Sequence, residues 1–305
     1  MTEKHKKPFF LAVGIVKPHL PFDAPVRFFD QLPTDITIDN YKADDLNDIP
    51  KVGKSLPKKG EFNYYLSNNV WDKVRRAYLA SISWADYNIG RVIDALLSEL
   101  EIKDNTLIVF ISDNGGVTAE FADNSPYRGY KGMLFEGGIR VPFCISWKGK
   151  IPKNKIYNEM VSSLDIFPTF LSVTGVKTSI SLDGENLLPY LNNEISTPPH
   201  EQLFWRTAGG ASYAIRKGEF KLTKRMYNEN LMLFDLINDP KEIHDISKQF
   251  PKKVKDLKEH YNLWNDQMID PLWTKDGHVP KTKERLDTYN KIREKASLGE
   301  KQTSK

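Results

Sequence analysis

A carboxylate and an amide stand together where an apolar run of the sequence ends. Residues 106–111 form this run, and Ser112, Asp113 and Asn114 follow it before two glycines. Carboxylate and amide oxygens are ligands that Ca²⁺ and Mg²⁺ prefer, although such ions take about six of them. An Asn-Gly pair is also a common turn signal, and this alternative stays open for the motif by itself. Asp113 and Asn114 are therefore candidate ligands of a divalent cation.

Two other segments carry cations that suit an anionic substrate. Lys131 and Arg128 share a glycine-flanked loop, in which the lysine is a point charge and the arginine offers a forked contact. His19 lies between two prolines, where an imidazole could donate a proton to a leaving alkoxide, and Lys17 precedes it as an anion ligand. Solvated loop cations and a structural histidine are the alternatives. With the cation ligands, these residues indicate ester chemistry on phosphate or sulfate, for which no nucleophile is evident.

The first half of the chain predicts an α/β architecture that would position these residues. Residues 8–16 and 106–111 are typical of strands, and between them residues 71–100 carry apolar side chains at three- and four-residue steps. This strand–helix–strand order predicts a mostly parallel central sheet with the helix on one face. Residues 141–147 predict another strand, in which the single cysteine, Cys144, is expected to be buried and leaves no internal disulfide.

The second half predicts a smaller unit of different character. Asp165 is the expected N-cap of a helix that stops at Gly175. Short strands joined by tight turns follow between residues 202 and 236, and a final helix covers about 251–268. We therefore expect an α/β domain over 1–195, an α+β subdomain with a short antiparallel sheet over 196–275, and a basic, disordered tail over 276–305.

The composition limits the partners of the protein. The net charge of +4 originates in residues 281–305, which hold eight basic and four acidic side chains, so no general affinity for nucleic acid is expected. No window reaches the roughly 18 consecutive apolar residues of a membrane helix. The basic start leads into a short apolar run without a small-residue cleavage site, so no secretory signal is expected in this sequence. The oligomeric state stays open.

Taken together, the motifs resemble the sulfatase family of the alkaline-phosphatase-like hydrolases over nearly the whole chain. In chain order they are Lys17-Pro18-His19-Leu20-Pro21-Phe22, Ser112-Asp113-Asn114-Gly115, Arg128-Gly129-Tyr130-Lys131-Gly132, residues 135–142 and Leu164-Asp165-Ile166-Phe167-Pro168-Thr169. Residues 216–222, 233–236 and 239–242 are similar to the small C-terminal sheet of the family. The resemblance implies part of an alkaline-phosphatase-like α/β sandwich.

The resemblance also implies roles for the candidate residues. Asp113 and Asn114 would be two ligands of a calcium (or magnesium) ion. Lys131 would bind the sulfate, and His19 would contact the bridging oxygen and assist the leaving group. The partner would be a sulfated small molecule or glycan, and the compartment would be periplasmic, secreted or lysosomal.

Within the family the resemblance is mixed, which leaves the ester open. Residues 44–50 and the His19 segment look like the iduronate-sulfatase and choline-sulfatase branch, whereas residues 112–142 look more like arylsulfatases and galactosamine-6-sulfatases. Carbohydrate sulfate fits both halves. A phosphodiesterase of the same superfamily is a weaker alternative, because the Lys131 segment is closer to sulfatases.

The nucleophile of the family has no counterpart in this sequence. The family matures a Cys or Ser in a C-x-P-S-R type motif to formylglycine, but Cys144 is followed by Ile145-Ser146-Trp147. We therefore expect the C-terminal portion of a sulfatase, with the formylglycine in an N-terminal region that is missing here. Two hypotheses follow: a sulfate ester hydrolase of which this chain carries part of the active site, or a catalytically inactive sulfatase-like protein that at most binds a sulfated ligand.

Overall fold

The computed structural model describes residues 8–34, 64, 67–98, 102, 104–117, 124–207, 212–225 and 230–269. Two compact units divide the chain, and each is described by itself. Unit 1 comprises Met1–Asp113, Val117–Asp123 and Pro142–His200, and unit 2 comprises Asn114–Gly116, Asn124–Val141 and Glu201–Lys305. The predicted domain bounds stay a prediction, and both the 276–305 tail and the motif at 44–50 lie outside the described residues.

The described residues form six α-helices and six strands, together with one short 3₁₀ turn at Ser163–Asp165. None of these helices is both long and apolar enough to cross a membrane. In chain order the elements are α1 (Val26–Asp30), α2 (Trp71–Ser98), β1 (Ile108–Ile111), α3 (Glu136–Ile139), β2 (Phe143–Ser146), α4 (Ile166–Thr174), α5 (Leu188–Leu191), β3 (Gln202–Thr207), β4 (Ser212–Lys217), β5 (Phe220–Lys224), β6 (Met232–Asp235) and α6 (Pro251–Gln267).

The sheet of unit 1 differs from the expectation of a parallel sheet. Strands β1 and β2 pair antiparallel, with Ile108 opposite Ser146 and Ile111 opposite Phe143. Residues 8–16 form no strand in the described part of the chain, and Phe10 instead packs edge-on against Phe170 of α4 at 5.7 Å. An apolar run predicts an extended segment, but it does not say which strand satisfies the backbone hydrogen bonds. The mostly parallel central sheet is therefore not observed in these residues.

Helix α2 forms where the periodic apolar pattern predicts a helix. The helix is 28 residues long, and Arg76 ties it to α1 because its Nη2 donates to the carbonyl of Phe29 at 2.6 Å.

The prediction that Cys144 is buried is wrong. Cys144 is exposed, since burial alternates along β2. The expectation of a buried thiol assumed that both faces of this strand are covered, and an apolar sequence alone cannot establish that.

Asp165 occupies the N-cap position of α4, as predicted, but its buried carboxylate makes no cap hydrogen bond to that helix and binds other segments of unit 1 instead. Its Oδ2 accepts a hydrogen bond from the amide of Ser162 at 2.7 Å, and the Ser162 hydroxyl accepts one from Leu164, which completes a capping box. Its Oδ1 accepts the amide of Glu185 at 2.8 Å and lies 2.7 Å from Nε2 of His200. Gly175 ends α4 in the left-handed region at φ 68°, as predicted.

Unit 2 contains the antiparallel sheet that the sequence predicts. Strands β3, β4, β5 and β6 are hydrogen-bonded in this order. One face packs on α6, and the rings of Tyr213 and Tyr261 stack there with centroids 4.0 Å apart. The buried residues of this core are Tyr213, Ile215, Leu222, Leu233, Leu257 and Tyr261. Val254 and Trp264, predicted as core residues of α6, pack against it half-buried.

The other face of the same sheet supports the segment that contains Lys131. Since side chains alternate along β5, Lys221 points away from the Leu222 core. Its cross-strand neighbour Phe234 contacts the ring of Phe135, with centroids 6.3 Å apart. This face of the sheet in unit 2 therefore supports the segment that contains Lys131.

Candidate functional site

In unit 2 the segment 114–116 lies against the segment that carries Lys131. The amide of Lys131 donates to the carbonyl of Gly116 at 3.3 Å, and the amide of Gly115 donates to the carbonyl of Gly138 at 3.1 Å. Asn124 joins the two segments, because its Nδ2 donates to both Gly116 (2.9 Å) and Gly129 (3.1 Å) and its Oδ1 accepts the Gly116 amide. The structure thus places Asn114 and Lys131 on adjoining pieces of backbone. Sequence reasoning missed Asn124, for which the sequence contains no distinctive signal.

Glycine is required where these backbones meet. A Cβ on Gly115 would lie 1.8 Å from the carbonyl oxygen of Gly137, and one on Gly137 would lie 2.5 Å from that of Gly129. Real Cβ atoms essentially never come within 3.0 Å of another heavy atom. The glycines around the predicted site therefore allow close backbone packing, in addition to the sharp turns for which they were singled out.

Lys131 is half-buried at the edge of a cleft in unit 2 of about 270 Å³. Among the residues that the structure describes, its ammonium makes no hydrogen bond or ion pair. The main chain of Lys131 is held by Gly116, so its position is set without using its charge. A cation placed in this way can bind an anion without first losing a protein partner.

Arg128 already has partners within unit 2. Its Nη1 donates to the carbonyl of Glu242 at 2.8 Å, and its guanidinium lies 4.0 Å from the centroid of the Phe135 ring. Burial lowers the pKa of this guanidinium, and the charge of Glu242 opposes the effect. These contacts support the Lys131 loop, and the predicted contact of Arg128 with substrate stays a prediction.

A buried ion triad, missed by the sequence analysis, anchors α3 to the sheet. Nζ of Lys221 lies 2.9 Å from Oε1 of Glu136 and 2.9 Å from Oε1 of Glu242, and Oε2 of Glu242 accepts the amide of Glu136 at 2.6 Å. All three side chains are at most 3% exposed. In the sequence, Lys221 stands between Phe220 and Leu222, and nothing in this pattern marks it as a buried ion. Only the packing of the Lys131 segment on this face of β5 buries it.

The triad predicts a pH dependence of stability. Burial raises the pKa of the Glu242 carboxyl, and the charge of Lys221 offsets this only in part. The folded state therefore holds a proton that the unfolded state has lost above about pH 4.5. The stability that this proton contributes is complete below that pH. It decreases as the pH rises through the raised pKa that Glu242 has in the folded state.

Hydrogen exchange of residues 212–225 across this pH range would test the prediction, with rates corrected for intrinsic pH dependence. We expect the free energy of opening to fall with rising pH in the wild type, and to fall less steeply in Glu242→Gln, which cannot ionise. Identical slopes in the two proteins would contradict a role for Glu242.

In unit 1, His19 and Lys17 share one turn, where the amide of His19 donates to the carbonyl of Val16 at 3.0 Å. Nδ1 of the exposed His19 lies 2.8 Å from the carbonyl of Leu20, so this nitrogen carries the hydrogen and Nε2 is the one left for proton transfer. The ammonium of Lys17 donates to the carbonyl of Pro21 and pairs with Asp23. The hydrogen bond that Lys17 donates to Asp23 lowers the pKa of the Asp23 carboxyl. Lys17 therefore already has an acidic partner in its own loop.

Asp113 follows β1 directly. The amide of the preceding Ser112 donates to the carbonyl of Pro142 at 3.1 Å and extends the ladder with β2. The Asp113 side chain is exposed and makes no hydrogen bond or ion pair with the described residues. The described residues contain no group of three or more His, Cys, Asp and Glu that could hold a metal. A carboxylate and an amide fit a hard cation by donor type, and they are two of about six ligands.

Two family profiles match the sequence. One, described as "Sulfatase", covers residues 1–176, and the other, "N-sulphoglucosamine sulphohydrolase, C-terminal", covers residues 129–267. The first match spans more than half of the 305 residues. The chain belongs to the sulfatase family.

Known proteins are similar to this chain along most of its length. A protein named "Sulfatase" from Formosa agariphila is 31% identical over 267 residues, which cover 84% of this chain and 50% of the relative. The structure of Ps i-CgsB in complex with k-i-k-neocarrahexaose has a TM-score of 0.62 at 28% identity, covering 81% of this chain and 48% of that one. A structure in complex with its substrate D-glucosamine-2-N,6-O-disulfate has a TM-score of 0.54 at 27% identity, covering 66% and 42%. The chain spans about half the length of the curated relatives it matches.

Proposed function

We propose that this chain carries the sulfate-binding and metal-binding part of a sulfate ester hydrolase. The observation that supports this most strongly is the ammonium of Lys131, which has no partner among the described residues while its backbone is held against Gly116. Such a cation neutralises the charge of a bound sulfate and of the transition state that forms from it. Membership of the sulfatase family supports sulfate as this anion.

The other candidate residues take complementary roles in this proposal. Asp113 and Asn114 hold a calcium (or magnesium) ion, which would polarise the sulfate when bound. His19, through Nε2, supplies the proton to the leaving alkoxide. Arg128 holds the loop of Lys131 through Glu242 and Phe135. The formylglycine of such a reaction would come from a segment outside this sequence, because no C-x-P-S-R or S-x-P-S-R motif occurs in the 305 residues.

The proposed substrate is a sulfated carbohydrate. Two structural neighbours at 27 and 28% identity were solved with saccharides, of which one is a disulfated glucosamine described as the substrate of that protein. A small sulfated molecule other than a sugar remains an alternative within the same chemistry.

Binding of glucosamine 6-sulfate, measured by calorimetry with Ca²⁺ present, would test the proposal. We expect Lys131→Ala to weaken binding at least about tenfold, which corresponds to about 1.4 kcal/mol, because the charge that receives the sulfate is lost. Lys150→Ala is the matched control, since Lys150 is an exposed lysine in a turn of unit 1. Equal affinities of the wild type and Lys131→Ala, or no binding by the wild type, would refute the proposal.

The second candidate function is a protein that binds sulfate esters without hydrolysing them. The absence of the nucleophile motif from the sequence favours it. Sequencing the DNA upstream of Met1 separates the two candidates. An in-frame C-x-P-S-R or S-x-P-S-R motif supports the hydrolase, and a stop codon just upstream supports the binding protein.

A further inference from the structure

The cleft of unit 2 that Lys131 lines has a second wall, formed by the antiparallel sheet. Its first wall is the loop 130–135. Its second wall lies at one end of the sheet, where Thr207 and Ser212 form the last pair of β3 and β4 and Lys224 is the last residue of β5. The residues of this second wall are Thr207, Ser212, Thr223, Lys224 and Arg225.

The charge of the cleft is positive on both walls. Lys131 lies on the loop wall, and Lys224 and Arg225 lie on the sheet wall, while no lining residue described by the structure is acidic. The Lys224 ammonium is half-buried and makes no hydrogen bond or ion pair with the described residues. Burial raises the pKa of the Tyr130 hydroxyl, and the charge of Arg225 opposes this. Because Lys131 and Lys224 have no acidic partner among the described residues, a bound anionic group on each wall would neutralise charges that the protein leaves unpaired there.

The remaining polar groups of the cleft suit a sugar. Tyr130, Thr207 and Ser212 contribute hydroxyl groups, which can both donate and accept hydrogen bonds, whereas the Thr223 hydroxyl already donates to the carbonyl of Tyr213 at 3.2 Å. A volume of about 270 Å³ is at the small end of ligand sites and matches one or two sugar units better than a long chain. Both walls therefore combine hydroxyl groups with cations, which suits a saccharide that carries two anionic groups.

We propose that this cleft selects a doubly anionic saccharide, whose scissile sulfate is bound by Lys131 and whose second anionic group is bound by Lys224 together with Arg225. The inference rests on the proposed function, because Lys131 is assigned to the sulfate there. The second group is a sulfate or a carboxylate, which share the charge and the oxygen acceptors that lysine and arginine bind.

The test compares three ligands on the full chain by calorimetry with Ca²⁺ present. They are glucosamine 6-sulfate, glucosamine 2-N,6-O-disulfate, and a disaccharide in which a uronic acid is linked to glucosamine 6-sulfate. We expect the wild type to bind at least one doubly anionic ligand about tenfold more tightly than the monosulfate. The tighter of the two identifies the second group as sulfate or carboxylate.

Lys224→Gln is the diagnostic variant, and Lys258→Gln on the exposed side of α6 is its matched control. We expect Lys224→Gln to bring the ratio of the two affinities close to 1, and Lys258→Gln to keep it at the wild-type value. Unchanged melting temperatures would exclude a folding defect. Sulfate binding that depends on Lys131, without a preference for a second anion or with a preference that survives Lys224→Gln, overturns this inference alone. No binding of any of the three ligands overturns the proposed function with it.

Discussion

Lys221→Ala is expected to lower the free energy of unfolding of unit 2 by about 3 to 5 kcal/mol. The substitution removes the only cation of the triad and leaves the acidic side chains of Glu136 and Glu242 buried beside each other without a cation. Each of them was 2.9 Å from the lost ammonium. Hydrogen exchange of residues 212–225 measures the loss where it occurs, because the two units need not unfold together.

Two comparisons make this prediction specific to the triad. Lys258→Ala removes an exposed lysine of α6 and should change stability by less than about 0.5 kcal/mol. The triple variant Glu136→Gln, Lys221→Met, Glu242→Gln removes every charge of the triad and should lose less stability than Lys221→Ala, since no unpaired charge stays buried. Wild-type stability of Lys221→Ala would contradict this prediction, because water or another cation would then have to reach the acidic side chains of the triad.

The second large effect is expected from Gly115→Ala, at about 3 kcal/mol of destabilisation. The new methyl group would lie 1.8 Å from the carbonyl oxygen of Gly137. This obstacle is backbone and cannot rotate away, so that the segment 114–116 has to move off the Lys131 loop. Thermal unfolding should show the loss, and faster exchange of the Lys131 amide should show that the bond to Gly116 is broken.

Gly90→Ala is the matched control for this substitution. Gly90 lies inside α2 with open space where its Cβ would be, so alanine should stabilise the helix by up to about 1 kcal/mol. Opposite signs for the two Gly→Ala changes would attribute the effect to the backbone contact. A neutral result at Gly115 would mean that the two segments do not pack as described.

The elements that the sequence predicted well are those whose pattern is local. Helix α2 has its apolar stripe within one continuous segment, and the four strands between Gln202 and Asp235 follow one another through short connections. Each such element contains the signal for its own formation, as Gly175 does for the end of α4. The prediction failed where a strand needed a distant partner: residues 8–16 form no strand, and β1 pairs antiparallel with β2.

The residues of the candidate site likewise fall into those that sequence signals reveal and those that only the folded structure reveals. Asp113, Asn114, Lys131 and His19 were found from residue type, spacing and family resemblance. Their roles stay proposals. The groups that hold the Lys131 segment in place were not found. Lys221 and Glu242 act across the fold, and Asn124, although it lies near this segment in the chain, has no distinctive signal in the sequence. Lys17 and Arg128 looked alike as free cations in the sequence, and the structure pairs one with Asp23 and packs the other on Phe135.

The sequence by itself therefore determined the family of this protein, its main helices, its antiparallel four-stranded sheet and the candidate residues of its site. Each of these depends on residues that are near one another in the chain or on a motif in a stated order. Only the tertiary structure decided which charges are buried, paired or available, and which glycines carry backbone contacts. The reason is that burial and pairing depend on segments about 100 residues apart, such as Glu136 and Glu242. Lys221 and Lys131 are both lysines among small or apolar neighbours, yet packing makes one a buried structural ion and leaves the other half-buried, with an ammonium that has no partner among the described residues.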